Sequence, residues 1–381
     1  MSISLSELLI LGQGSDLASE RGVSCSGELP PASDPHLVER AIAARAALGS
    51  RALILGHHYQ RDEVIQFAEI TGDSFKLAQS AAAQSEAEFI FFCGVHFMAE
   101  SADILTSSKQ RVILPDLAAG CSMADMATAN QVDQCWKELE RIGVAAKTVP
   151  VTYMNSSAAI KSFTGEHGGT ICTSSNAQKS LEWAFSKAEK VLFLPDQHLG
   201  RNTAVLSLGL SIDDCVLWNP WKPMGGLTED QIKSAKMILW RGHCSVHGRF
   251  TRETVNEVRS RIPDVQVIVH PECQHEVVLA ADVVGSTEKI IQTVSSSPAG
   301  SKWAIGTELN LVSRLAQNNP DKEVVFLDKT VCYCSTMNRI DLPHLVWAME
   351  SVVAGHIVNE IKVDERVAKY SKLALEQMLA L

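Results

Sequence analysis

Short uninterrupted apolar runs alternate along this chain with longer segments of helical spacing. That is the pattern of βαβ units on parallel sheets buried on both faces. The pattern recurs three times. Each unit opens with an apolar run that ends in polar residues: "RALILGHHYQ" (51–60), "TVPVTYMNSS" (148–157) and "VQVIVHPECQ" (265–274). A helix-sized segment follows, then a hydroxyl residue opening another helix: Ser74 in "TGDSFKLAQSA", Ser174 in "CTSSNAQKSLEWAF" and Thr287 in "VGSTEKIIQTV". A third apolar run comes next ("EFIFFCGVHF", "KVLFLPDQHLG", "KWAIGTELN"). The last run in each unit leads to a cysteine: "RVILPDLAAGC", "KMILWRGHC" and "EVVFLDKTVCYC". The predicted unit is thus strand, helix, short strand, hydroxyl-capped helix, strand, helix, strand, cysteine.

Functional loops of open α/β sheets lie beyond the carboxyl ends of the strands. If three such units turn those ends to a common centre, Cys121, Cys244 and Cys334 can converge there, with Cys332 an alternative to Cys334 in "CYC". The chain divides into an N-terminal arm (1–35, with "GELPPASDP"), a first α/β domain (36–121), a second (122–244) and a third (245–340). Residues 205–235 lengthen the second unit; with Pro220, Pro223 and Gly225-Gly226 they read as a loop insertion, Trp218 and Trp221 forming its own small core. Residues 341–381 read as a long helix or helix pair that completes the first domain.

Composition narrows the class. With 381 residues, 46% hydrophobic and 20% charged, the chain is an ordinary multidomain globular protein. No apolar run reaches the roughly 20 residues needed to cross a bilayer, and the N-terminus lacks the basic start of a secretory signal, so a cytoplasmic location is expected. A net charge of −10 argues against a nucleic-acid partner. The ten cysteines are then expected to be thiols or metal ligands rather than disulfides. With no CxxC pair, a metal site must draw ligands from distant parts of the chain. Three cysteines closing three units suit an iron–sulfur cluster with one open iron. A three-cysteine zinc site and three unrelated buried thiols are the competing readings.

The strand ends supply the remaining chemistry. His57, His58 and Tyr59 end the first unit's opening strand, Tyr153 and Asn155 the second's, His270 and Glu272 the third's. In each case a pair of hydrogen-bonding or titratable groups alternates on one side, as general acid–base work requires. Ser74, Ser174 and Thr287 are expected helix caps whose helix N-termini also suit carboxylate or phosphate groups of an anionic substrate. His247, in "CSVHGRF", is weighed equally as a site residue and as a bystander.

These segments, with "FCGVHFMAESADIL", "LPDLAAGCSMADM", "VTYMNSSAAIKS", "LPDQHLGRN", "WRGHCSVH" and "ADVVGSTEKII", resemble quinolinate synthase from about residue 35 to about residue 350. The resemblance implies three similar three-layer αβα domains around a pseudo-threefold axis. It implies condensation of iminoaspartate (iminosuccinate) with dihydroxyacetone phosphate to quinolinate, releasing phosphate and water, on the de novo route to NAD. It implies a [4Fe–4S] cluster held by Cys121, Cys244 and Cys334, the last selected by Met337 three residues on. His57, Ser74, Tyr153, Asn155, Ser174, His270, Glu272 and Thr287 would bind substrate, with Tyr59, Glu272, His57 and His270 catalytic. A functional link to an L-aspartate oxidase or dehydrogenase supplying iminoaspartate follows. Two other classes compete with this one: a non-catalytic cluster or zinc regulator, and a cluster-dependent hydro-lyase acting on one hydroxy acid.

Overall fold

The structure, a computed structural model, describes residues 29–330 and 333–381. The expected arm lies almost wholly outside the described residues, as does Cys332. The chain forms two compact units. The first comprises residues through 71, 76–120 and 335–362. The second comprises 72–75, 121–334 and 363–381.

The first unit holds one sheet. Its strands β1 (Ala52–His57), β2 (Ile70–Gly72), β3 (Phe89–Cys93) and β4 (Arg111–Ile113) stand in the order β4-β3-β1-β2. The second unit holds two sheets. Strands β5 (Thr148–Tyr153), β6 (Thr170–Cys172), β7 (Lys190–Leu194), β8 (Cys215–Trp218) and β9 (Met237–Trp240) stand as β6-β5-β7-β9-β8. Strands β10 (Gln266–Val269), β11 (Val283–Val284), β12 (Lys302–Gly306) and β13 (Glu323–Phe326) stand as β11-β10-β12-β13. Setting β8 aside, every sheet has one order: second, first, third, fourth. β1 with β3, β3 with β4, β5 with β6 and β7, β9 with β7 and β8, β10 with β11 and β12, and β12 with β13 all pair in parallel. The fold is α/β with three like sheets, as the repeat predicts. β1, β3 and β7 are buried along their whole length, which is why their sequences are continuous apolar runs rather than alternating ones.

Two expectations are corrected. Residues 205–235 are not a loop: they contain β8, a parallel edge strand on β9, and the helix Glu229–Ser234. The proline and glycine signals govern only the turn between them. Trp218, the last residue of β8, is buried in the second sheet's core with Trp136, Phe163 and Trp240, whereas Trp221 is 83% exposed. Gly225, at φ +64°, lies flat against the Trp218 ring where a Cβ would collide.

The C-terminal segment also divides. Helix Leu342–Val353 packs on helix Leu37–Leu48 in the first unit, and β14 (Glu360–Ile361) adds antiparallel to β4. The last helix, Glu365–Leu379, packs instead on helix Ala158–Glu166 and β6 of the second unit. Gly165 allows that approach, since a Cβ there would strike the Tyr370 carbonyl, and Ser371 Oγ donates to the Ala158 carbonyl at 2.9 Å. Among the described residues no helix is long and apolar enough to cross a membrane.

Candidate functional site

The strand order puts a topological switch beside the first strand of each sheet, where open α/β sheets place their ligands. The residues singled out from the sequence stand at those carboxyl ends: His57 closes β1, Tyr153 closes β5 and His270 follows β10. Two of these turns share one device. Tyr59 N donates to His57 Nδ1 at 3.1 Å, and Glu272 N donates to His270 Nδ1 at 3.3 Å. In each case the strand-end imidazole accepts the amide two residues on, so a neutral ring carries its proton on Nε2. In the first unit, the His57 and Tyr59 rings meet edge-on at 4.8 Å.

In the second unit a buried cluster forms around Glu272. Its Oε2 lies 2.9 Å from His247 Nδ1, and its Oε1 lies 3.8 Å from His270 Nδ1. The Tyr153 side chain hydrogen-bonds to it as well. His247 Nε2 pairs with Thr307 Oγ1 at 3.1 Å, and the His247 and His270 rings stack at 4.5 Å. Burial opposes the ionised Glu272, but the two histidines and the Tyr153 bond outweigh it and hold the carboxyl below its ordinary value. Burial pushes the His270 imidazole down to about 3, so at neutral pH it is an uncharged donor.

The turn carrying these groups is fixed by a residue the sequence reading passed over. Asn202, at the end of the helix after β7, donates to the carbonyls of Pro271 at 2.8 Å and Cys273 at 2.9 Å. Its own oxygen meets His275 Nδ1 at 2.8 Å. A helix of the second sheet thereby holds the turn that follows β10 in the third. His247 is faint in the sequence for a different reason: its signal is a position three residues beyond Cys244 and depends on the role given to that cysteine.

Cys121, Cys244 and Cys334 are half-buried thiols that lie within electrostatic range of one another. Burial pushes the Cys121 thiol up to about 12 and the Cys244 thiol well above its ordinary value, and the neighbouring sulfurs and Glu272 add to both. The amides of Ala124 and Met123 face Cys121, and that of His247 faces Cys244, pulling the other way. Three neighbouring soft sulfurs, with Cys121 and Cys244 unable to ionise cheaply on their own and amide donors turned toward those two, fit a metal-thiolate centre. Cys244, His247 and Glu272 also present ligand atoms within 4.8 Å of one another. Cys93, Cys172 and Cys273 are buried packing residues.

The hydroxyl residues need one adjustment. Ser74 and Thr287 are the first residues of their helices, not the caps: Ser286 accepts from Lys289 N at 3.4 Å, and Asp73 accepts from Phe75 N at 3.2 Å. Ser174 lies in a turn before helix Ala177–Lys187, which Asn176 precedes. Asn155 is half-buried in the turn after β5. Buried acids were also missed. Glu308 caps helix Leu309–Asn318 beside the Cys334 amide, and burial raises its carboxyl to about 7. Asp196 caps helix Gln197–Asn202 beside the Cys244 amide, its carboxyl raised well up by burial and by Glu272.

Comparison with known proteins gives the lineage. The model of the family described as "NadA: Quinolinate synthetase A protein" matches residues 40–380. The chain is 68% identical over 376 residues to a protein of Streptomyces coelicolor named quinolinate synthase, covering 98% of this chain and 95% of that one. It is 67% identical over 387 residues to a Nocardioides protein of the same name, covering 100% and 98%. A third, from Acidobacterium capsulatum, is 54% identical over 349 residues, covering 91% and 93%. Matched from end to end and at these identities, the chain belongs to the quinolinate synthase family of enzymes.

Proposed function

We propose that the protein condenses iminoaspartate with dihydroxyacetone phosphate to give quinolinate, releasing phosphate and water, in de novo NAD biosynthesis. We also assign it a [4Fe–4S] cluster on Cys121, Cys244 and Cys334. The observation that carries this reading is three thiols within mutual electrostatic range beside a buried Tyr153–Glu272–His247–His270 cluster. When bound, such a cluster supplies a Lewis-acidic iron with a position that no cysteine occupies.

The chain's own groups supply the rest. Glu272, held ionised, takes protons from the substrate and returns them through the Tyr153 hydroxyl. His270 offers a neutral Nε2–H to developing negative charge. Tyr59 and His57, on the matching turn of the first sheet, serve the remaining proton transfers. Ser74, Ser174, Thr287 and Asn155 bind the carboxylates and phosphate, with Ser74 and Thr287 in the amide-rich first turns of their helices. Iminoaspartate hydrolyses readily in water, so an enzyme that oxidises L-aspartate is the expected supplier and the cytoplasm the expected place.

A single-metal site on Cys244, His247 and Glu272 is the second reading, favoured by the closeness of their ligand atoms. Anaerobic purification, metal and sulfide counts and a quinolinate assay with both substrates decide. Four irons and four sulfides per chain with quinolinate formation are expected. One zinc without sulfide supports the second reading, and no quinolinate from the loaded protein overturns the assignment.

A further inference from the structure

Two of the proposed ligands sit on loops whose roots meet in the first unit. Asp116 lies five residues before Cys121, and Arg339 lies five residues after Cys334. Asp116 is fully buried, and its Oδ2 accepts from Arg339 Nε at 2.8 Å. His344 Nε2 stands 3.7 Å from the same oxygen, and Asp116 Oδ1 accepts the Ala118 amide at 2.9 Å.

Both roots are pinned further. Leu114 N donates to the Asn359 carbonyl at 3.1 Å, and Asn359 Nδ2 donates to the Pro115 carbonyl at 3.1 Å. The Ala119 carbonyl accepts the His96 amide at 2.8 Å. On the other root, Gln60 Nε2 donates to the Met337 carbonyl at 3.2 Å, and Gln60 belongs to the turn of His57 and Tyr59. His344 Nδ1 in turn pairs with Asp341 Oδ1 at 2.6 Å.

A buried carboxylate is costly to leave unpaired, so this pair holds its two segments in one register. Nothing in the proton chemistry of the site needs it. We propose that Asp116 and Arg339 are positioning residues that set the spacing of the Cys121 and Cys334 thiols for the cluster. The inference rests on the cluster reading given above. Its logic is that of any outer partner of a metal ligand: it holds the ligand in place before the metal arrives.

The test uses full-length protein reconstituted anaerobically with iron and sulfide. The variants are Arg339→Gln, Arg339→Lys and, as a control, Arg40→Gln. Arg40 makes a more exposed pair with Glu350 at 2.6 Å in the same unit, and Arg40 lies far along the chain from either cysteine. Iron and sulfide per chain are counted, and the decay of the visible cluster absorption is followed after adding a chelator. Arg339→Gln should lose its cluster about tenfold faster than the parent. Arg339→Lys, which keeps the charge but loses the fork, should fall between, and Arg40→Gln should match the parent whatever its melting temperature. A parental decay rate in Arg339→Gln, or equal acceleration in Arg40→Gln, overturns the inference. If Arg339→Gln does not fold, the double variant Asp116→Asn/Arg339→Gln, which removes both charges, is read by the same criteria. A parent chain that takes up neither iron nor sulfide overturns the cluster reading and this inference with it.

Discussion

Glu272 stands where opposing influences compete, and the outcome decides its use. Burial favours the neutral acid, while His247, His270 and Tyr153 favour the ion, and they prevail. Replacement by glutamine keeps the shape but removes the charge that both rings face. Glu272→Gln should leave metal uptake unchanged and lower kcat on the order of a hundredfold or more, measured as quinolinate formed by the loaded protein. Normal turnover would remove Glu272 from the proton chemistry. At this scale the sequence was only partly legible. The strand-end residues stood out because polar groups abruptly ended apolar runs. Neighbouring cap formers did not resolve: "GDS" and "GST" each offer two hydroxyl or carboxylate residues in a row, and the actual cap is the earlier one. Asn202 carried no signal, because its partners are carbonyls some seventy positions away, and no backbone carbonyl is marked in a sequence.

Among the elements, helix Leu342–Val353 shows how one cap serves the first unit. Asp341 accepts the His344 amide at 3.0 Å and the His344 ring at 2.6 Å. Burial works against its ionisation, but these bonds and the His344 charge hold the carboxyl below its ordinary 3.8. A carboxyl depressed in the folded state contributes stability in full above the ordinary value and loses it as the pH falls through the folded one. Asp341→Ala should therefore cost about 1 kcal/mol at pH 7. The gap to the parent should narrow in melts taken below about pH 4; a gap independent of pH would show that the charge contributes nothing. Elements were the most legible level where an apolar run was continuous, as in β1, β3 and β7. They were least legible where a strand such as β8 is short and flanked by turn residues. The last helix was foreseeable as a helix but not in its destination. An amphipathic face states that it will be covered and leaves open by what; Gly165, the residue that admits it, lies two hundred positions upstream.

For the whole molecule, the three proposed ligands follow the fourth strands of three different repeats. Cys121 comes after β4, Cys244 after β9 and Cys334 after β13. A group that binds all three ties together segments that lie far apart along the chain, and binding the folded form alone raises its stability by mass action. The reconstituted protein should melt at least a few degrees above the metal-free protein in anaerobic calorimetry, and a Cys244→Ser variant should lose that increment. Equal melting with and without the bound group would mean that the site is preformed without help from it.

The sheets share more than their strand order. Where a fifth strand exists, it lies against the fourth: β14 from beyond the last repeat, antiparallel, and β8 from within the second, parallel. Among the described residues no strand adds beside the second. Each five-stranded sheet thus has an edge that accepts an added strand and, among the described residues, an edge that does not. Chain length can be gained by two unrelated routes at the margin farthest from the first strand, whose end carries His57, Tyr153 or His270. Such a scaffold can gain a strand in any one sheet without disturbing the strand ends that carry these side chains.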